Sequence, residues 1–203
     1  ESQNVAVSGA FGKVTVGDTS GAIDGVDGAA DPFYVVGRID GDEITFANDA
    51  GASWALPALA PGLSVKLTHT PENGSTGATS DLDGYSLSYE TAGVTVAYAA
   101  EEVAGLGNTF AGIKGTFSGL TVALESVSTE QASGTADIDM QAIGAQYVMG
   151  DVTFAVTSAE VDQSGTMLSE RQSLGIHYGM GPAVFFVEQT SDDVDDDDTT
   201  AFG

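Results

Sequence analysis

The sequence predicts an all-β fold, an antiparallel up-and-down β-barrel that crosses a membrane with its strands. Three observations support this prediction. Apolar residues alternate with small or polar residues along most of the chain. Short turns alternate with longer polar loops, which is the connectivity of a meander. The strands between them are about ten residues long, enough for a tilted strand to cross a bilayer, whereas strands of globular proteins average about five or six.

The charge balance and the composition exclude several classes of protein. The 203 residues include 30 Asp and Glu but only 5 Lys and Arg, so the formal net charge is -25. Nucleic acid is excluded as a partner, because proteins bind its phosphates mainly through Lys and Arg. Without cysteine, disulfides and thiolate nucleophiles are excluded as well. A mean hydropathy of +0.06 is too high for a disordered acidic chain, and no apolar run reaches the roughly 18 residues of a membrane-spanning helix.

The alternation can be followed strand by strand along the chain. Its apolar members are Val14 and Val16, then Leu63, Val65 and Leu67, then Tyr85, Leu87 and Tyr89, then Val94, Val96 and Tyr98, then Leu120, Val122 and Leu124, then Val152, Phe154 and Val156, and finally Leu174, Ile176 and Tyr178. Tight turns are predicted at 10–12, 60–62, 91–93, 117–119, 148–151 and 179–181, and longer polar loops at 71–81, 102–108, 128–137 and 161–167. All tight turns are therefore expected at one end of the barrel and all long loops at the other.

The apolar set is predicted to face outward, toward lipid. For one or two hairpins, a packed interior made of these residues would be the simpler interpretation. Twelve strands closed into one cylinder enclose a bore too wide for side chains to fill, so an inward apolar set would leave a void. A water-filled lumen lined by the small and polar set avoids that void. If this orientation is correct, Val14, Val65 and Val96 do not pack together in a common core.

Four segments resemble the trimeric general diffusion porins of purple and related alphaproteobacteria. They are GAFGKVTVGDTSGA (9–22), which is fairly specific, and the more generic ALAPGLSVKLTHT (58–70), MQAIGAQYVMGDVTFAVTSAE (140–160) and TTAFG (199–203). The resemblance implies a barrel of sixteen strands that forms a homotrimer in the outer membrane of a Gram-negative bacterium, in contact with lipid and lipopolysaccharide. It also implies a third loop folded into the pore, where its acidic residues face basic residues of the wall.

The chain is predicted to form one barrel domain, residues 1–203. Twelve strands are counted, with a thirteenth beginning at Thr199. Against the sixteen of the family, about three N-terminal strands and the end of the last strand are expected to be absent. Residues 18–50 are predicted to be the long acidic loop that folds into the pore, since a connection of this length in a compact fold usually has a function.

Acidic residues of this long loop are the candidate constriction, because rings of carboxylates favour cations. The predicted negative side is Asp24, Asp27, Asp40, Asp42 and Glu43, and Arg38 either pins the loop or stands in the pore. The alternative is that these acids are only solvated at the mouth of the channel.

On the wall of the lumen, the alternation selects four charged residues: Lys13, Lys66, Lys114 and Glu125. The alternative for the lysines is an ion pair with a neighbouring wall carboxylate such as Glu125. A candidate calcium site is formed by Asp192, Asp193, Asp195 and Asp196, since hard cations bind clustered carboxylate oxygens. The segment lacks the spaced D-x-D-x-D-G ligand pattern, so a hydrated extracellular loop is the favoured interpretation and no cofactor is required.

The sequence therefore predicts passive diffusion of small hydrophilic solutes and ions through a water-filled channel, with a preference for cations and no enzymatic activity. Ser173 and His177 share the lumen face but lie about 13 Å apart along one strand, too far for a hydrogen-bonded nucleophile and base. The alternative function is that of an acidic calcium-binding β protein, secreted or in a surface layer. Such a protein should show a short regular repeat, and none is visible.

Overall fold

The computed structural model describes residues 3–26, 50–72, 80–131, 135–194 and 197–203. They form one antiparallel sheet of 13 strands, each paired with its neighbours in chain order. Strands β1 to β7 are Asn4–Gly9, Gly12–Asp18, Ala50–Ala55, Leu63–Thr70, Leu82–Thr91, Val94–Val103 and Leu106–Phe117. Strands β8 to β13 are Leu120–Thr129, Ile138–Met149, Val152–Gln163, Thr166–Met180, Ala183–Asp192 and Asp197–Phe202. The predicted all-β up-and-down fold is confirmed, and the thirteenth strand begins at Asp197 rather than at Thr199.

The sheet has two edges, β1 and β13, and within the described residues no pairing joins them. The full complement of sixteen strands, which would close the barrel, stays a prediction. The described part of the chain contains no helix that is long and apolar enough to cross a membrane.

Tight turns occur at both ends of the sheet, which corrects one prediction. The segments 102–108 and 161–167 were expected to be longer loops, but each contains only a two-residue turn: Ala104 with Gly105, and Ser164 with Gly165. Both residues of each pair have positive φ, the backbone that matches the twist of a two-residue hairpin. The polar residues around them extend the strands instead, so that β11 reaches 15 residues.

The outward orientation of the apolar set is confirmed. Val96, Leu124 and Ile176 are each about half exposed, whereas the residues that alternate with them, such as Ala99 and Ala123, are buried. Val14, Val65 and Val96 are absent from the buried apolar cluster. The apolar residues of β4 to β12 thus form an outward band suited to lipid, and the opposite face of the sheet is the wall of the lumen.

The wall of the lumen is less polar than the alternation predicts. On β6 to β9, inward positions are occupied by Ala99, Phe110, Val127 and Met140, and each of them is buried. The register places these four residues in one row across the sheet. They form a buried cluster with Ala22 and Ile23, which follow β2. The apolar row is therefore the surface against which a segment packs when it folds into the lumen.

Candidate pore constriction

The chain leaves β2 and turns inward along the wall of the lumen. We call residues 19–26 the inner segment; it is the first part of the predicted long loop. Ile23 and Val26 close a turn in which the Val26 amide donates to the Ile23 carbonyl at 2.8 Å. The Gly21 amide donates to Asp24 Oδ2 at 3.0 Å. Ala22 and Ile23 are completely buried, so the start of the loop lies against the inner wall and not in solvent at the mouth.

Glu101 on β6 holds the inner segment by its backbone amides. Its Oε1 accepts hydrogen bonds from the amides of Ala22, at 2.6 Å, and Ile23, at 3.1 Å. The carboxyl group is almost completely buried. Because one carboxyl oxygen accepts from two successive backbone amides, Glu101 is one of two polar attachments of the segment.

Lys66 on β4 holds the same segment by its carbonyls. Its Nζ donates to the carbonyl oxygens of Ser20 and Gly21, both at 2.8 Å, and to Ser20 Oγ at 3.2 Å. One strand, β5, separates Lys66 from Glu101 in sheet order, so their strands are about 10 Å apart across the wall. The pair therefore holds the segment at two points, Lys66 by its carbonyls and Glu101 by its amides.

Gly84 on β5 makes room for the inner segment between these two attachments. It is directly opposite Thr68 on one side and Glu101 on the other. A Cβ at Gly84 would lie 2.9 Å from the Ala22 Cβ and 2.7 Å from Thr68 Oγ1, closer than side-chain atoms tolerate. The absence of a side chain at this position lets Ala22 pack directly on the wall.

The apolar row completes the attachment. Ile23 is fully buried in a cluster with Phe110, Val127 and Met140, and Val26 packs against the same cluster. Burying a side chain of this size contributes on the order of 1.5–3 kcal/mol, comparable with the hydrogen bonds at either end. The sequence alternation missed this row, because it treated the inward set of β6 to β9 as uniformly small and polar.

The three lysines that were predicted to line the wall lie apart from one another in the structure. Lys66 binds the inner segment, and three strands separate it from Glu125, so these two residues do not form the alternative ion pair. Lys13 lies on β2 in the same row, with Ala55 between it and Lys66. Lys114 lies on β7, four residues beyond Phe110 toward the opposite end of the strand, which is about 13 Å along the chain. The three lysines therefore do not form one cluster.

Most of the acidic residues predicted for the constriction lie outside the described residues. These are Asp27, Asp40, Asp42 and Glu43, together with Arg38. Asp24 is described: it lies in the inner segment, and its carboxylate accepts from the Gly21 amide. Glu125 is buried in the lumen wall, as its alternation predicts.

Ser173 and His177 engage different partners, which agrees with their predicted separation. The Ser173 hydroxyl is 2.9 Å from Thr190 Oγ1, and His177 Nε2 is 2.9 Å from Glu188 Oε1. All four residues are buried in the lumen wall on β11 and β12. The sequence identified neither Glu188 nor Glu101 as a candidate residue, although both have inward alternation.

The acidic segment after β12 is only partly described, because Asp195 and Asp196 lie outside the described residues. Asp192 is engaged by protein donors: Oδ2 accepts from Ser169 Oγ at 2.6 Å, and Oδ1 accepts from the Val194 amide at 3.0 Å. Asp193 is exposed. In the described part of the chain, no three His, Asp or Glu side chains lie together in an arrangement that could hold a metal ion.

Comparison with known proteins agrees with this architecture. Among solved structures, the chain is similar to a multiply substituted porin of Rh. blastica, with a TM-score of 0.78, 16% identity and coverage of 98% of this chain and 74% of that chain. It is also similar to a loop-deletion variant of OmpT, an outer membrane protein of Vibrio cholerae, with a TM-score of 0.76, 16% identity and coverage of 99% and 76%. A porin refined at 1.8 Å gives a TM-score of 0.75 at 17% identity and coverage of 98% and 78%.

At these identities the solved structures show the fold alone, and no curated protein matches the sequence. The family is shown by sequence: the profile described as Gram-negative porin matches residues 1–203. The expected resemblance is thereby confirmed, and the secreted or surface-layer alternative is set aside. The chain belongs to the Gram-negative porin family and is a channel protein of the outer membrane.

Proposed function

We propose that the channel conducts small hydrophilic solutes and ions by passive diffusion, with a preference for cations, and that the long loop narrows its bore. The attachment of the inner segment to the wall is the observation that supports a narrowed bore. Lys66 and Glu101 hold residues 20–23 inside the lumen, so the loop starts from the wall and not from the rim. Asp24 is the first of the acidic residues that follow this attachment in the sequence.

The charge balance of the whole chain supports the preference for cations. The whole chain has a formal charge of -25 and only five basic residues. One of these, Lys66, is occupied by loop carbonyls, which leaves less positive charge to face a permeant anion. Charged rings in a confined bore set the local potential that a permeant ion meets, so an excess of carboxylates raises the local concentration of cations.

Reversal potentials across a planar bilayer in a salt gradient test the preference. We expect a potential of the sign that corresponds to cation selectivity, and anion selectivity would refute the proposal. Replacing Asp40, Asp42 and Glu43 together by Asn, Asn and Gln should reduce the potential. The matched control replaces Asp193, Asp195 and Asp196 by Asn, which removes the same charge from a different loop. Equal effects of the two triple variants would mean that residues 40–43 do not line the bore.

We further propose a homotrimer, in contact with lipid and lipopolysaccharide, that has no catalytic activity. Migration on a denaturing gel tests the assembly. An unboiled sample should run as a trimer and a boiled sample as a monomer. A single monomer band under both conditions, together with a monomer mass in detergent, would contradict the assembly without affecting the channel proposal.

Calcium is not required for the function that we propose. The carboxylate of Asp192 is already bonded to Ser169 and to the backbone, so loose association of divalent ions with the acidic segment is expected. Removal of calcium with a chelator should leave conductance and the temperature of trimer dissociation unchanged. A fall of several degrees in that temperature would instead indicate a specific site.

A further inference from the structure

A groove of about 730 Å³ crosses the outer wall of the sheet from β6 to β10. We call it the outer groove. On each of these strands it runs between two successive outward positions. Its floor is backbone at positions where the side chain points into the lumen, such as Glu125 and Ala142. The groove therefore belongs to the surface that faces the membrane and is separate from the bore.

The two walls of the outer groove differ in chemistry. One wall is apolar from β6 to β9, where Val96, Ile113, Leu124 and Ile143 pair in register, and Ser158 continues this row on β10. The other wall, nearer the long-loop end, is a row of Tyr98, Ala111, Ser126, Gln141 and Glu160. Beyond the apolar wall, the outward positions remain apolar, as in Val122 and Val156. The groove thus follows the line at which the lipid-facing band ends and polar residues begin.

The polar wall contains one acidic residue, Glu160, and no basic residue. Glu160 lies directly opposite Gln141 on one neighbouring strand and Glu170 on the other. In residues 94–163, the only basic residue is Lys114, whose alternation directs it to the lumen. A headgroup with uncompensated phosphate would be repelled here, whereas a headgroup with an ammonium group would be attracted.

We propose that the outer groove binds a lipid with an amine-bearing headgroup. Its acyl chain lies along the apolar wall, continuous with the lipid-facing band. Its ammonium group lies at Glu160, and its polar linkage meets the Gln141 amide and the Ser126 hydroxyl. Ala111, with its small side chain between Tyr98 and Ser126, leaves the space that the headgroup occupies. This proposal is independent of the loop and of ion preference.

Native mass spectrometry tests the proposal with the protein transferred from vesicles that contain equal amounts of phosphatidylethanolamine and phosphatidylglycerol with identical acyl chains. A charge at the membrane surface shifts lipid binding by about 1 kcal/mol, so we expect roughly fivefold more phosphatidylethanolamine than phosphatidylglycerol retained. Glu160→Gln should reduce the ratio to about one. Glu102→Gln, the same change on the outward face of β6 outside the groove, should leave the ratio unchanged.

A second pair of variants tests the space itself. Ala111→Trp fills the groove and should abolish retention of both lipids, whereas Ala145→Trp, at an outward position of β9 in the apolar band, should not. Single-channel conductance verifies that each variant is folded. Equal retention of the two lipids by the unsubstituted protein, or a preference for phosphatidylglycerol, would overturn the proposal. Dissociation of the oligomer by Ala111→Trp without loss of lipid would also overturn it, because the groove would then be a contact between subunits.

Discussion

Replacing Lys66 by Met should release the inner segment from the wall. The side chain becomes one atom shorter and loses three hydrogen bonds, two of them at 2.8 Å to backbone carbonyls. A hydrogen bond to a charged group contributes about 1.5–3 kcal/mol when it is well buried. These bonds are partly exposed, so we discount each of the two short ones to about 1 kcal/mol and neglect the longer one. The attachment should weaken by about 2 kcal/mol, which is roughly 30-fold in the ratio of attached to released segment.

Amide hydrogen exchange measures this ratio directly. The amides of Ala22 and Ile23 are protected by Glu101 only while the segment is attached, so their exchange in Lys66→Met should accelerate about 30-fold. Lys114→Met is the matched control, because it removes the same charge from the lumen wall at a position remote from the segment. Similar acceleration in the two variants would refute the attachment and leave only a general effect of charge. Conductance of both variants verifies that the barrel has formed.

Two further variants probe the same attachment from its other side. Glu101→Gln keeps an oxygen acceptor for Ala22 and Ile23 but loses the charge, so exchange at these amides should rise about tenfold; no change would mean that the carboxylate charge is irrelevant. Gly84→Ala places a methyl group 2.9 Å from the Ala22 Cβ and should displace the segment, with more frequent conductance fluctuations as the readout. Its control is Gly179→Ala, where the nearest atom to the added methyl is 3.7 Å away.

The fold could be predicted from the sequence because each strand carries its own signal. An alternation of period two fixes which residues share a face, and this needs no knowledge of the neighbouring strands. Val96 and Leu124 therefore point outward as predicted. The prediction of loops at 102–108 and 161–167 was wrong because polar residues at the end of a strand resemble a loop in sequence. Only the pairing partner decides whether such residues extend the ladder, as Glu102 does opposite Gly107.

The candidate site could be predicted only in part. The long acidic loop and the lumen orientation of Lys66 follow from length and alternation. The partner of Lys66 could not be derived, because it is the backbone of Ser20 and Gly21, and backbone carbonyls carry no sequence signal. Glu101 was missed for the same reason, since its partners are two backbone amides. Contacts of this kind depend on where the loop folds back, which is a long-range property of the chain.

The hydrogen bonds of the attachment are to backbone atoms and therefore should tolerate changes in the polar side chains of the loop, whereas the buried side chain of Ile23 is part of the attachment. Ser20 provides the sharpest test, because it offers Lys66 both a carbonyl at 2.8 Å and a hydroxyl at 3.2 Å. Ser20→Ala removes only the longer bond, so exchange at Ala22 and Ile23 should change less than about threefold, against about 30-fold for Lys66→Met. A large effect of Ser20→Ala would show that the hydroxyl carries the attachment. A small effect would mean that the loop stays in place when its polar side chains change. The acidic side chains of the loop, and with them the electrostatic field in the bore, could then vary without loss of the attachment.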